Sequence, residues 1–347
     1  NPPEYNGLKM MMAKETLHGD GIKALRERIL EGIAPAEVAG TIEEIDVVTP
    51  YLEKVTGDVK LARPMKIAID CGNGVTGPIA VEIFKRLGCE VTALYADVDG
   101  HFPNHHPDPS KLANLQDLIE TVKTTDVEVG LAFDGDGDRL GVVTKSGQVI
   151  FPDRQMMLFA ADILSRHPGK QIIYDVKCTR RLVPWIQEHG GIPTICCTGH
   201  SLVKAKLKET GAPFAGEMSG HLFFNDVRWP GFDDGLYAGA RILEILSRHE
   251  DPSAVLEALP TAVNTPELNI AMARLQQELK FDDAKDVITI DGIRVEWEDG
   301  FALARSSNTT PVVVLRLEGD TPEALERIKT RFGDALRSVE PSLELPF

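Results

Sequence analysis

Short apolar runs alternate with amphipathic stretches along this chain, and the alternation starts afresh twice. Leu8 to Ala13 reads as a strand and Gly21 to Leu30 as a helix, too little to bury a core unaided. Pro64 opens a stronger pattern. Met65 to Asp70 predicts a buried strand, Cys71-Gly72-Asn73-Gly74 a turn, and Ile79, Ile83, Phe84 and Leu87 fall on one helical stripe. A strand at 90–95, a helix near 110–123, an apolar run at 127–133 and a strand at 140–144 follow.

The rhythm restarts after Pro152 with a helix at 153–166, a strand at 171–176, a helix at 179–189 and a strand at 192–197. A helix at 201–209, strands near 212–216 and 221–224, and a helix at 235–248 complete this second unit. Beyond about 262 the strands at 287–290, 293–297, 301–305 and 312–318 read as antiparallel, closed by a helix at 322–337. The class expected is therefore α/β: consecutive α/β domains with mixed, mostly parallel sheets, then a smaller α+β C-terminal domain. The expected segments are 1–42, 43–148, 149–260 and 261–347.

Directly after the apolar run at 127–133 stands Asp134-Gly135-Asp136-Gly137-Asp138-Arg139. Three carboxylates in alternate positions repel one another, and a hard divalent cation taking oxygen ligands is the ordinary reason to keep them together. The glycines let the backbone curl around an ion. Arg139 sets a fixed cation with a bidentate fork beside it, where a phosphate could bridge both. An EF-hand fits poorly, because the twelfth position from Asp134 is Lys145 and a strand precedes the loop. A phosphatase with Asp134 as nucleophile is the better rival, although its usual Thr or Val at the fifth position is Asp138 here.

Four further segments matter: Asn1-Pro2-Pro3-Glu4-Tyr5-Asn6-Gly7-Leu8-Lys9, Thr198-Gly199-His200-Ser201, Glu217-Met218-Ser219-Gly220-His221, and Arg305-Ser306-Ser307-Asn308-Thr309-Thr310-Pro311. With the acidic loop, and in this order, they resemble the α-D-phosphohexomutases, the phosphomannomutase and phosphoglucomutase family. The resemblance implies four domains, Mg²⁺ held by Asp134, Asp136 and Asp138, and a phosphoserine in the first domain. It implies Lys9 as general acid and base, with Arg139 beside it in the catalytic group. Sugar contacts would come from Lys177, Thr198, Gly199, His200, Glu217, Ser219 and His221, and the non-reacting phosphate would lie on Arg305, Ser307, Asn308 and Thr309.

By local patterning, Glu217, Ser219 and His221 alternate along an extended stretch and point to one side. Thr198-Gly199-His200-Ser201 lies between a strand and a helix, where exposed amides favour an anion. The family motif runs Ser-His-Asn-Pro-Pro, so Asn1 is expected to be its third residue. On that reading residues 1–42 are the remnant of the N-terminal domain, without the serine. The activity implied interconverts glucose 1-phosphate and glucose 6-phosphate, or the mannose phosphates, with glucose 1,6-bisphosphate as activator and intermediate. Phosphoglucosamine mutase and a non-catalytic phosphosugar-binding protein remain alternatives; Met218 resembles the phosphomannomutase branch, where phosphoglucosamine mutases have glutamine.

At 347 residues and 43% hydrophobic content the chain can fill two to three cores. A net charge of −16 argues against nucleic acid or an anionic membrane as partner, so a phosphorylated hexose must be held by local Arg and Lys. No stretch has the apolar length of a membrane span, and the expectation is a cytoplasmic monomer. Five cysteines, Cys71, Cys89, Cys178, Cys196 and Cys197, show no metal-type pairing and read as reduced thiols. His101, His105 and His106, set among prolines, read as a rigid, extended connector more readily than as a transition-metal site.

Overall fold

A computed structural model describes residues 10–13, 15–17, 19–34, 37–270, 279, 281, 283–308 and 312–347. The fold separates into two units, Asn1–Val47 and Val48–Phe347. In the first, β1 (Met11–Met12) and β2 (Glu15–Thr16) form an antiparallel pair, and α1 (Asp20–Glu31) buries none of its residues. That agrees with a segment unable to make its own core.

Among the described residues the second unit contains three sheets. Its first elements are α2 (Val48–Asp58), β3 (Lys66–Asp70), α3 (Gly77–Arg86), β4 (Glu90–Leu94) and α4 (Gln116–Thr124). After them come β5 (Val129–Phe133), β6 (Leu140–Thr144) and β7 (Val149–Ile150). The strand order is β4-β3-β5-β6-β7. β3 runs parallel to β4 and β5, whereas β6 turns back antiparallel to β5. Ile67, Ala68 and Ile69 are all fully buried because helices cover both faces, which is why β3 reads as an unbroken apolar run. The helix expected near 110–123 instead starts with a 3-10 turn at Leu112–Leu115.

The next sheet is built from α5 (Pro152–Arg166), β8 (Gln171–Asp175), α6 (Leu182–Glu188), β9 (Ile192–Cys196) and α7 (His200–Thr210). It is completed by β10 (Phe214–Gly216), β11 (Leu222–Phe224), α8 (Gly235–Leu246) and α9 (Pro252–Glu257). β8 lies parallel to β9 and β10, and β11 returns antiparallel to β10. This repeats the pairing scheme of β3, β4, β5 and β6. The acidic loop between β5 and β6 and the segment 217–221 between β10 and β11 are therefore topologically equivalent turns. Both central strands also end in a buried aspartate, Asp70 and Asp175.

The last sheet is antiparallel throughout. It comprises β12 (Val263–Asn264), β13 (Leu268–Ile270), β14 (Asp286–Ile288), β15 (Ile293–Trp297), β16 (Gly300–Ser306) and β17 (Val313–Gly319), covered by α10 (Pro322–Val339). Thr321 caps α10 by accepting the Ala324 N–H, and Ile328, Phe332 and Leu336 pack its inner face against the sheet. One core cluster runs from Leu52 through the first two sheets to Leu259, while the last sheet keeps its own.

Candidate functional site

The acidic loop is the hairpin turn from β5 to β6. Gly137 adopts φ 77°, and a Cβ there would fall 2.0 Å from Thr76 Cγ2, so the tightness of the turn depends on glycine. Asp134, Asp136 and Asp138 each bring a carboxylate oxygen within 4.8 Å of the others. Three hard oxygen donors at that spacing fit a cation of the magnesium type. Arg139 folds back onto the loop: its backbone N–H donates to Asp134 Oδ1 at 3.0 Å and its Nε to Oδ2 at 2.6 Å. Its Nη1 lies 3.2 Å from Asp108 Oδ1. Burial pushes the Asp134 carboxyl up to about 6; Arg139 opposes the rise and Asp138 adds to it.

The equivalent turn of the second sheet corrects an expectation. Residues 217–221 do not run extended with alternating side chains; they make a tight turn. Gly220 N–H donates to Glu217 O and Glu217 N–H to His221 O, while Gly220 takes φ 108°. The glycine permits this reversal, and at 3.2 Å from its Cβ position lies Arg139 Cβ. Arg139 and His221 form an antiparallel bridge, and Leu140 N–H donates to Gly220 O. The two turns thus meet along the backbone. His221 Nδ1 lies 2.9 Å from Asp233 and 3.5 Å from Asp138, so the imidazole links them. Burial alone would lower its pKa, but Asp233, Asp138 and Glu217 raise it on balance.

Glu217 is 1% exposed and accepts the Gly199 N–H. Burial, reinforced by Asp175, pushes its carboxyl up to about 7 against the pull of His221, Gly199 and Lys177. Asp175 accepts from Thr198 Oγ1 at 2.7 Å and from Met218 N–H at 3.0 Å. The amides at 198–199 do attract anions, and within the fold those anions are its own carboxylates. Thr198 N–H donates to Asp291 at 2.8 Å, the same oxygen that takes Arg305 Nε at 2.8 Å. Asn308 Nδ2 donates to Thr198 O at 3.0 Å. His200 opens α7, its ring 5.7 Å from that of His221. Ser219 sits in the turn, and Ser307 N–H donates to Val312 O.

Lys177, 5% exposed just past β8, sits 3.0 Å from Glu267 Oε2. Thr309 and Lys9 lie outside the described residues. Contacts therefore run in one series from Asp134 and Arg139, through His221, Glu217 and the 198–199 amides, to Asp291 and Arg305, with Lys177 beside it on Glu267. Sequence reading missed Asp108, Asp175, Asp233 and Asp291. A carboxylate at the end of each central strand was a usable signal for Asp175; Asp108, about thirty residues before Arg139, had none. His105 lies 3.0 Å from Asp70, which ties the proline-rich segment to the end of β3 in a series of turns.

Three successive domain models of one family match the chain: phosphoglucomutase/phosphomannomutase α/β/α domain II over 49–147, α/β/α domain III over 151–263, and the C-terminal domain over 267–335. The chain belongs to this family, the α-D-phosphohexomutases. A phosphoglucomutase of Neisseria meningitidis is 55% identical over 100% of this chain and 77% of its own length. A phosphomannomutase/phosphoglucomutase of Pseudomonas aeruginosa is 52% identical over 100% of this chain and 76% of its own. A crystal structure of a phosphoglucomutase/phosphomannomutase family protein from Burkholderia thailandensis superposes with a TM-score of 0.95 at 58% identity, over 100% of this chain and 76% of that one. All five cysteines are free, and no helix among the described residues is long and apolar enough to cross a membrane.

Proposed function

We propose that this chain carries the metal, sugar and distal-phosphate parts of a phosphohexomutase acting on glucose and mannose phosphates. The observation that supports it most is the meeting of the two equivalent hairpin turns, which sets a three-carboxylate loop against the Glu217–His221 turn through the Arg139–His221 bridge. Asp134, Asp136 and Asp138 would hold Mg²⁺, which when bound offsets charge on a transferring phosphoryl group. Arg139 would bind phosphoryl oxygens beside it. Glu217 and Ser219 would read the sugar hydroxyls common to both orientations, with Thr198, Gly199, His200, His221 and Lys177 lining the wall. Arg305, Ser307, Asn308 and Thr309 would hold the phosphate that is not reacting, and Lys9 would exchange the proton. The domain bounds 43–148, 149–260 and 261–347 belong to the same reading.

Met218 supports plain hexose over glucosamine phosphates. The reaction would run through a phosphoserine and a bisphosphorylated sugar, with glucose 1,6-bisphosphate as activator. The test is turnover of glucose 1-phosphate and mannose 1-phosphate by the full-length protein with Mg²⁺, set against glucosamine 1-phosphate. Preference for the amino sugar, or phosphate release without isomerisation, would overturn the proposal.

A further inference from the structure

Arg294 leaves β15 of the last sheet and reaches the loop that follows β8. It is 2% exposed, and its guanidinium carbon lies 3.6 Å over the centre of the Phe301 ring. Glu296 offsets its charge at 2.7 Å. Nη1 donates to two carbonyls, Val176 O at 2.5 Å and Cys178 O at 2.8 Å. These are the residues on either side of Lys177. The Lys177 ammonium is held by Glu267, in the segment that leads into β13. Lys177 therefore follows β8 in sequence, yet both its backbone and its charge are held from the C-terminal sheet. A planar guanidinium fixed by a ring, a carboxylate and two carbonyls has little freedom left.

We propose that Arg294 is a positioning residue: by gripping the carbonyls of the two residues on either side of Lys177, it sets the direction in which that lysine presents its ammonium to the sugar phosphate. This rests on the reading of Lys177 as a substrate contact. Removing the grip leaves the carbonyls of 176 and 178 without their charged donor; Val176 N–H to Cys196 O and Thr179 N–H to Asp153 still anchor the two ends of the turn, so the loss falls on the segment around Lys177 between them.

The test is a double-mutant cycle in the full-length protein with Arg294→Met, Arg294→Lys and Lys177→Met. Arg294→Met should raise KM for glucose 1-phosphate about tenfold while kcat falls less than about threefold, the pattern of a lost binding contact at Lys177. Arg294→Lys, which can still reach one carbonyl, should recover part of the loss and serves the cycle alone if Arg294→Met fails to fold. On a Lys177→Met background either change should add less than about twofold. The same cycle read as Kd for glucose 6-phosphate by calorimetry does not depend on turnover. If the Arg294 change costs the same factor with and without Lys177, the inference is overturned while the mutase reading stands; a wild type without turnover would retire the latter separately.

Discussion

Glu217→Gln separates what the carboxylate does for the sugar from what it does to the fold. The side chain is 1% exposed, and its pKa rises from 4.5 to about 7, first through burial and then through Asp175. The folded state therefore holds this proton more tightly than the unfolded chain. Stability falls as pH climbs from 4.5 toward 7 and then levels off, because above that range an ionised carboxylate is kept in the interior. At ~1.4 kcal/mol for each tenfold change in proton affinity, the cost is about 3 kcal/mol.

Glutamine resembles the protonated acid and keeps an oxygen to accept the Gly199 N–H. The variant should match wild type near pH 5 and exceed it by about 2–3 kcal/mol at pH 8.5. Urea unfolding at the two pH values measures the difference. Substrate affinity should move the other way, since the hydroxyls lose a charged acceptor. A variant equally destabilised at both pH values would refute the reasoning and make Glu217 an ordinary buried ion-pair partner.

Other expectations follow from particular contacts. Gly137→Ala should lose about 2 kcal/mol or more, because φ 77° and a contact of 2.0 Å to Thr76 act together; chemical denaturation reports it. Arg241→Met takes from Asp226, 2% exposed, the partner bonded to it at 2.8 Å through Nη2 and leaves that interior charge with Arg166 at 3.9 Å. That should cost about 3–5 kcal/mol, with partial recovery when Asp226→Asn is added. Chelation with EDTA should abolish turnover reversibly, and Asp136→Asn should weaken Mn²⁺ binding measured by electron paramagnetic resonance.

Much of the fold was legible because period and punctuation agreed. Ile67 to Ile69 and the run from Val129 to Phe133 are buried on both faces, and Pro64 and Pro152 stand just before strand β3 and at the start of α5. The helix Val48–Asp58 was not read, since Thr49, Pro50 and Gly57 blur its stripe and only Leu52 and Val55 are buried. The acidic loop announced itself because its donors are adjacent in sequence. The turn at 217–221 did not, because alternating polar residues suit a strand as well as a reversal, and the Gly220 conformation decides between them. Long-range partners such as Asp291, between β14 and β15 of the last sheet, and Thr198, which follows β9 and donates its N–H to Asp291, come from sheets that only the fold brings together.

One ligand is expected to engage the acidic loop and the Arg305 loop at once. Calorimetric binding of glucose 1,6-bisphosphate with Mg²⁺, set against glucose 1-phosphate and repeated with Arg305→Ala, tests this most directly. The bisphosphate should bind about tenfold or more tightly than the monophosphate, and Arg305→Ala should erase that advantage while leaving Mg²⁺ affinity unchanged. A bisphosphate advantage that survives the loss of Arg305 would contradict it.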